Sequence, residues 1–427
     1  MAAPNLWNEA VGRAADVAPA PRWAFSPGAA LIALALTLAA LGGTVAVGAW
    51  LDRQSPAPEA TTYDNGMLVA QVGCDGLFGV DPVSLEQREL VALGQGCEFG
   101  GAFSPAWSRD GSHLAYGLDG GSENAAAAGL WIYESATGDR RQLTNCQGEF
   151  ACDFSRIDIS PDASLVAYIG RADSADGIEN LLVVRAVDSG EEHRVPLIGS
   201  ASQPVFSPDG DRIAVSQLGG RSGVYLVDVS GAQDGVIGSP TLLHGIVEAS
   251  DLAWSPDGRW IAMTQTGGLG GLSNADRAPF NQQIRMSDKG VVIVRADGAD
   301  TRVLATMPTN EAPFGPGPTW SADSASIAYA VGPVGDADDR PGRRGFEVRT
   351  VTIDGDEPTR IYDTDCCVDY YSGVVWSPDG KWIAFGVDNP SKRSESGTFL
   401  LRPDGSDERR VSTEALDVVW QPIPKGD

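Results

Sequence analysis

The side chains best suited to chemistry are isolated carboxylates, and they fall at one recurring place in the sequence rather than in a cluster. Asp251 and Asp417 lie three residues before a tryptophan, Trp254 and Trp420, while Arg156 and Gln203 lie three residues before Ile159 and Phe206. Asp158 stands two positions beyond Arg156, where the other copies carry small or apolar residues. If the copies form a ring, these five side chains converge at the mouth of its central channel, on the face that carries the longer loops. Such a set suits a polar ligand or a divalent cation such as calcium. A metal held by Asp158, Asp251 and Asp417 would equip the chain as a hydrolase or lyase, the alternative to a purely binding role.

Other enzymatic signals are thin. The 3 histidines, His113, His193 and His244, are far apart and none is spaced as a metal pair. There is no Gly-x-Ser-x-Gly elbow, and the glycine-rich stretch 267–271 lies between strands instead of opening a helix. The acidic runs Asp336-Ala337-Asp338-Asp339 and Asp363-Thr364-Asp365 lack the spacing of a complete calcium loop and read as solvated loops. The expectation is therefore a non-enzymatic chain without a cofactor.

The elements that position these residues come from a repeat. Leu252 to Met263 reads as an apolar strand, a Ser-Pro-Asp-Gly turn (255–258) and a second apolar strand. Pro256 presets φ, Asp257 can bond the backbone beyond it, and Gly258 accepts the positive φ of a tight turn. Equivalent turns begin at Ser108, Ser160, Ser207, Ser321 and Ser377, with Arg109, Ala163, Ala322 and Ser324 as departures from the pattern. The large residue before the turn recurs at 107, 159, 206, 254, 320 and 376. Repeats of this length with four strands each indicate propeller blades. The turn aspartates then read as structural, and Trp107, Trp254, Trp320, Trp376 and Trp420 as packing between blades.

Six hairpins each acquire a third and a fourth strand, and two remnants are left over. Asp417 to Pro422 resembles a first strand with nothing after it; Gly66–Ala70, Gly76–Val80 and Glu89–Leu93 resemble second, third and fourth strands with no first. Joined, they complete a blade and remove two exposed sheet edges. The fold class expected is all-β, a seven-bladed β-propeller closed by a composite N/C-terminal blade, with six blades as the alternative.

The Trp-Ser-Pro-Asp-Gly-x-x-Ile-Ala pattern at 254–262 and its copies resemble the repeat of TolB-type β-propellers, which look related to the propeller domains of prolyl-oligopeptidase-like enzymes. The resemblance covers roughly residues 66–427. It implies extracytoplasmic binding or scaffolding more often than a defined reaction. TolB-type proteins also carry an α/β domain for which this chain has no counterpart, so their lipoprotein partner does not carry over.

Upstream, residues 28–51 are apolar and uncharged over a length that crosses a bilayer as a helix. The expected order is a cytoplasmic tail (1–27), a transmembrane helix (28–51), a linker (52–65) and the propeller (66–427). The 6 cysteines, Cys74, Cys97, Cys146, Cys152, Cys366 and Cys367, all follow that helix and fit disulfides in an oxidising compartment. This places the C-terminal bulk outside the cytoplasm, anchored in the cell membrane. With 31 basic against 57 acidic residues, the net charge of −26 disfavours nucleic acid as a partner.

Strand direction alternates, so the short hairpin turns share one face and the long loops share the other. The variable face holds the cysteines and the aromatic residues Phe280, Tyr370 and Tyr371, the expected contacts for a protein or glycan partner.

Overall fold

The computed structural model describes residues 63–72, 76–92, 102–118, 128–145, 150–174, 177–218, 222–245, 249–265, 289–308, 311–333, 345–364, 370–371, 373–389 and 392–425. The expected tail and transmembrane helix, the linker before Tyr63, Phe280 and five of the cysteines (Cys74, Cys97, Cys146, Cys366, Cys367) lie outside the described residues. For Cys152, Arg156, Tyr370 and Tyr371 only the backbone is described. No helix among the described residues is long and apolar enough to cross a membrane.

Each repeated turn is held by one small hydrogen-bond unit. In the turn at Ser255, the Gly258 N–H donates to the Ser255 carbonyl at 2.9 Å, and the Ser255 N–H to the Trp260 carbonyl at 2.8 Å. The Ser255 hydroxyl donates to Asp257 Oδ1 at 2.6 Å and accepts the Trp260 N–H at 2.9 Å. Asp257 Oδ1 also accepts the Arg259 N–H at 3.0 Å. Serine and aspartate thus satisfy the backbone groups that a tight turn leaves over. The fourth position has φ near +71° at Gly258, and the same left-handed conformation is kept where the sequence departs from glycine, at Ala163 (φ 60°) and Ser324 (φ 60°).

These hairpins extend into seven antiparallel sheets. Blades 1 to 6 run in chain order from Ala102–Trp107 to Arg409–Ser412. The seventh is composite. Its innermost strand is Val418–Pro424, paired with Tyr63–Val72, then Gly76–Val80 and Gln87–Ala92. Leu68 faces Trp420 and Tyr63 faces Pro424 in the closing register. The sheet thus begins at Tyr63, inside the stretch expected as linker.

The apolar core is divided into seven clusters, one for each interface between adjacent blades. Each sheet is covered on both faces, which is why second strands such as Trp260–Gln265 are buried at every position instead of alternating.

Candidate functional site

Ser104, Arg156, Gln203, Asp251, Gly317 and Gly373 hold one equivalent place in successive copies, three residues before the large residue ahead of the turn, and none of them begins a first strand. The first strands of blades 2 and 5, Phe150–Ile159 and Glu311–Trp320, reach well past these positions, and in blades 3 and 6 the inner strand breaks in two around Gln203 and Gly373. A register shift marks the place in blades 1, 2, 4 and 5. At three copies the backbone is left-handed: Ser104 (φ 46°), Asp251 (φ 57°) and Gly317 (φ 81°). This recurrent bulge bends each inner strand as it enters the channel wall.

The bulge ring joins neighbouring blades. Gln203 Nε2 donates to the Ile157 carbonyl at 2.8 Å, from blade 3 back to blade 2. Asp251 packs against the next blade so tightly that a Cβ on Gly317 would lie 2.3 Å from its own Cβ. Asp251 also accepts a long hydrogen bond, 3.5 Å, from the Thr264 hydroxyl. Asp417 is exposed. Among the described residues, no group of three or more histidines, cysteines or carboxylates has the spacing of a metal site.

Asp158 stands apart. Its Oδ1 accepts the Ile159 N–H at 2.9 Å and its Oδ2 the Phe206 N–H at 2.7 Å, so one carboxylate joins blade 2 to blade 3. Burial in the channel wall pushes its pKa up to about 7, against the opposing pull of those two N–H donors. A carboxyl so placed can exchange a proton near neutrality.

Of the expected channel residues whose side chains are described, Asp158, Gln203, Asp251 and Asp417, it is Asp158 that lines the cavity that the channel forms at its hairpin-turn end, about 450 Å³ in volume. The walls of this cavity include the five tryptophans expected as packing between blades, Trp107, Trp254, Trp320, Trp376 and Trp420. Those indoles have two roles. Trp254 Nε1 donates to the Val205 carbonyl at 3.1 Å and Trp320 Nε1 to the Ala253 carbonyl at 2.9 Å, each reaching the preceding blade, while the rings also line the channel. Turn residues form the rim: Pro161, Pro208, Pro256, Ala322 and Pro378 at the second turn position, with Arg109 in the sixth copy. Arg109 crosses that rim. Its Nη2 donates to the Pro256 carbonyl, three blades away, at 3.3 Å, and the guanidinium lies 6.0 Å from the centroid of the Tyr63 ring. Burial lowers its pKa from the usual value, with Tyr63, Asp209 and Asp257 acting against that. The departure of Arg109 from the Ser-Pro-Asp-Gly pattern was the sequence signal for this group.

A second, polar depression of about 610 Å³ lies on blade 5 beside Thr306 and is lined by Glu347, Arg349, Arg360 and Asp363. Arg349 is its hub, 3.1 Å from Glu311 and 2.6 Å from Glu347, both nearly fully buried. Those carboxylates raise the Arg349 pKa against the opposing effect of burial.

No protein-family profile matches the sequence, and no curated protein matches it. Solved structures match it by fold. Puromycin hydrolase superposes with a TM-score of 0.52 at 14% identity, over 84% of this chain and 54% of that one. An oligogalacturonate lyase from Vibrio parahaemolyticus gives 0.50 at 12% identity, over 81% and 86%. TolB from Acinetobacter baumannii gives 0.42 at 15% identity, over 86% and 69%. This chain spans about half the length of puromycin hydrolase. At such identities the likeness establishes the fold alone. The chain is a seven-bladed β-propeller, the architecture expected from the TolB-type repeat.

Proposed function

We propose that this chain is a non-enzymatic binding module, a single-pass membrane-anchored propeller held outside the cytoplasm, that engages a protein or glycan partner through the loops opposite its hairpin turns. The observation that supports it is the placement of strand ends. The pairs that frame the long loops, Leu118 with Gly129, Gln265 with Lys289 and Pro333 with Glu347, all stand at the same end of the blades as Thr144 with Phe150 and Asp363 with Tyr370. The other end is closed by the short Ser/Asp turns. Loops held out by a rigid scaffold are where recognition concentrates.

The test uses the full chain in its membrane, with residues 266–288 and 334–344 each replaced by a short Gly/Ser connection. Binding through this face predicts that cross-linkers placed in the loops recover a partner and that cross-linkers in the hairpin turns do not. It also predicts that replacement removes the recovery without moving the unfolding midpoint. Undiminished recovery with both loops replaced would overturn the proposal. Membrane-impermeant labelling of intact cells tests the topology: modification of the propeller supports it, and protection sinks it.

A further inference from the structure

All seven residues at the second turn position border the cavity, and six of them, five prolines and Ala322, have side chains too short to leave the rim. The seventh is Arg109, and it leaves. Its Nη2 donates to the Pro256 carbonyl at 3.3 Å. Pro256 belongs to blade 4, three blades on from blade 1 in a ring of seven, so the side chain runs from one side of the mouth nearly to the other and passes close to the axis. There the guanidinium is met from three other blades. Tyr63 of blade 7 presents its ring with the centroid 6.0 Å away, and Asp209 of blade 3 and Asp257 of blade 4 stand near enough to favour its charge. A long side chain gives up rotamer freedom when it is fixed, and arginine keeps such a place where its planar, always-charged head finds several partners at once. These partners are spread around the mouth, which is what holds the crossing. Each cavity tryptophan stands two positions before the rim residue of its turn, one step further into the channel.

We propose that Arg109 is a strap across the turn-end mouth of the channel, which in this position bars a solute of aromatic size from the tryptophan-lined cavity and, when it swings aside, admits one. The strap is at the other end of the propeller from the loops proposed to bind a partner, and it stands or falls independently of them.

The test is residue-resolved labelling of the full chain, read by peptide mapping. In the unaltered protein the arginine reagent phenylglyoxal modifies Arg109 more slowly than Arg259, whose side chain is half exposed on the blade 4 turn and does not border the cavity. The tryptophan reagent 2-hydroxy-5-nitrobenzyl bromide reads the cavity itself. Arg109→Ala raises the labelling of Trp254 and Trp376 severalfold relative to Trp131, which lies on blade 1 outside the cavity. Arg109→Lys, which keeps the charge near Asp209 and Asp257 but loses the planar fork, raises it less. Arg259→Ala leaves it unchanged. Equal labelling in Arg109→Ala and the unaltered chain, with the unfolding midpoint intact, would overturn the proposal, and so would an equal rise in Arg259→Ala. Reaction of Arg109 with phenylglyoxal as fast as that of Arg259 would also overturn it, and that measurement needs no variant to fold.

Discussion

Closure of the ring is most sharply tested at Gly111. This turn glycine has φ of +68°, and a Cβ built on it would lie 1.9 Å from the Pro422 carbonyl oxygen of the closing strand. Its own carbonyl accepts Gln421 Nε2 at 2.9 Å. Equivalent glycines have room: Gly210 and Gly258 would meet only proline side chains, at 3.4 and 3.8 Å. Gly355, with φ of +81° and nothing within 4 Å, isolates the conformational cost. Any Cβ in this region costs about 1–2 kcal/mol, so Gly355→Ala loses about that much. Gly111→Ala carries the same cost plus about 1–3 kcal/mol of overpacking against backbone and about 1 kcal/mol for the displaced Gln421 bond. The total is about 3–6 kcal/mol. Urea unfolding of the full chain, followed by tryptophan fluorescence, compares the two variants. Equal midpoints would show that Val418–Pro424 does not hold the ring shut against blade 1.

Three other outcomes follow from the channel and blade 5. Asp158 titrates near pH 7 when folded and near the usual 3.9 when unfolded, so the stability it contributes is complete below about pH 4 and lost as pH rises to about 7. The midpoint of the unaltered chain relative to Asp158→Asn should fall across that window and flatten above it; a rise would refute the assignment. Trp320→Phe should destabilise by about 1 kcal/mol more than Trp107→Phe, because Trp320 alone of the two has an acceptor to lose, Ala253; equal midpoints contradict this. Arg349→Met strands the buried Glu311 and Glu347 and should cost about 3–5 kcal/mol by chemical unfolding, with a loss below 1 kcal/mol counting against the ion cluster.

The fold was legible because turn chemistry is local. Serine, proline, aspartate and glycine state their geometry within four residues, and six copies plus two orphaned ends determine a closed ring; the pairing of Leu68 with Trp420 follows. The channel was less legible because its shape depends on how strands approach its axis. A tryptophan ahead of a turn suits packing between blades and lining a channel equally well, and Trp254 and Trp320 do both. The bulges at Ser104, Asp251 and Gly317 were hidden for a related reason: two of the three carry side chains that give no sign of left-handed backbone. Asp158 was legible as a polar residue among small ones, but not the end of the channel it serves: it lines the cavity at the hairpin turns and not the mouth among the long loops.

The composite blade also imposes an order of events on biosynthesis. Tyr63–Val72 is made before the six other blades and its partner Val418–Pro424 after them, so one strand edge waits uncapped while the ribosome completes the intervening blades. A chain cut short before Val418 never acquires that cap. Incomplete copies thereby advertise themselves through an open backbone edge that chaperones and proteases can grasp, whereas finished ones withdraw it.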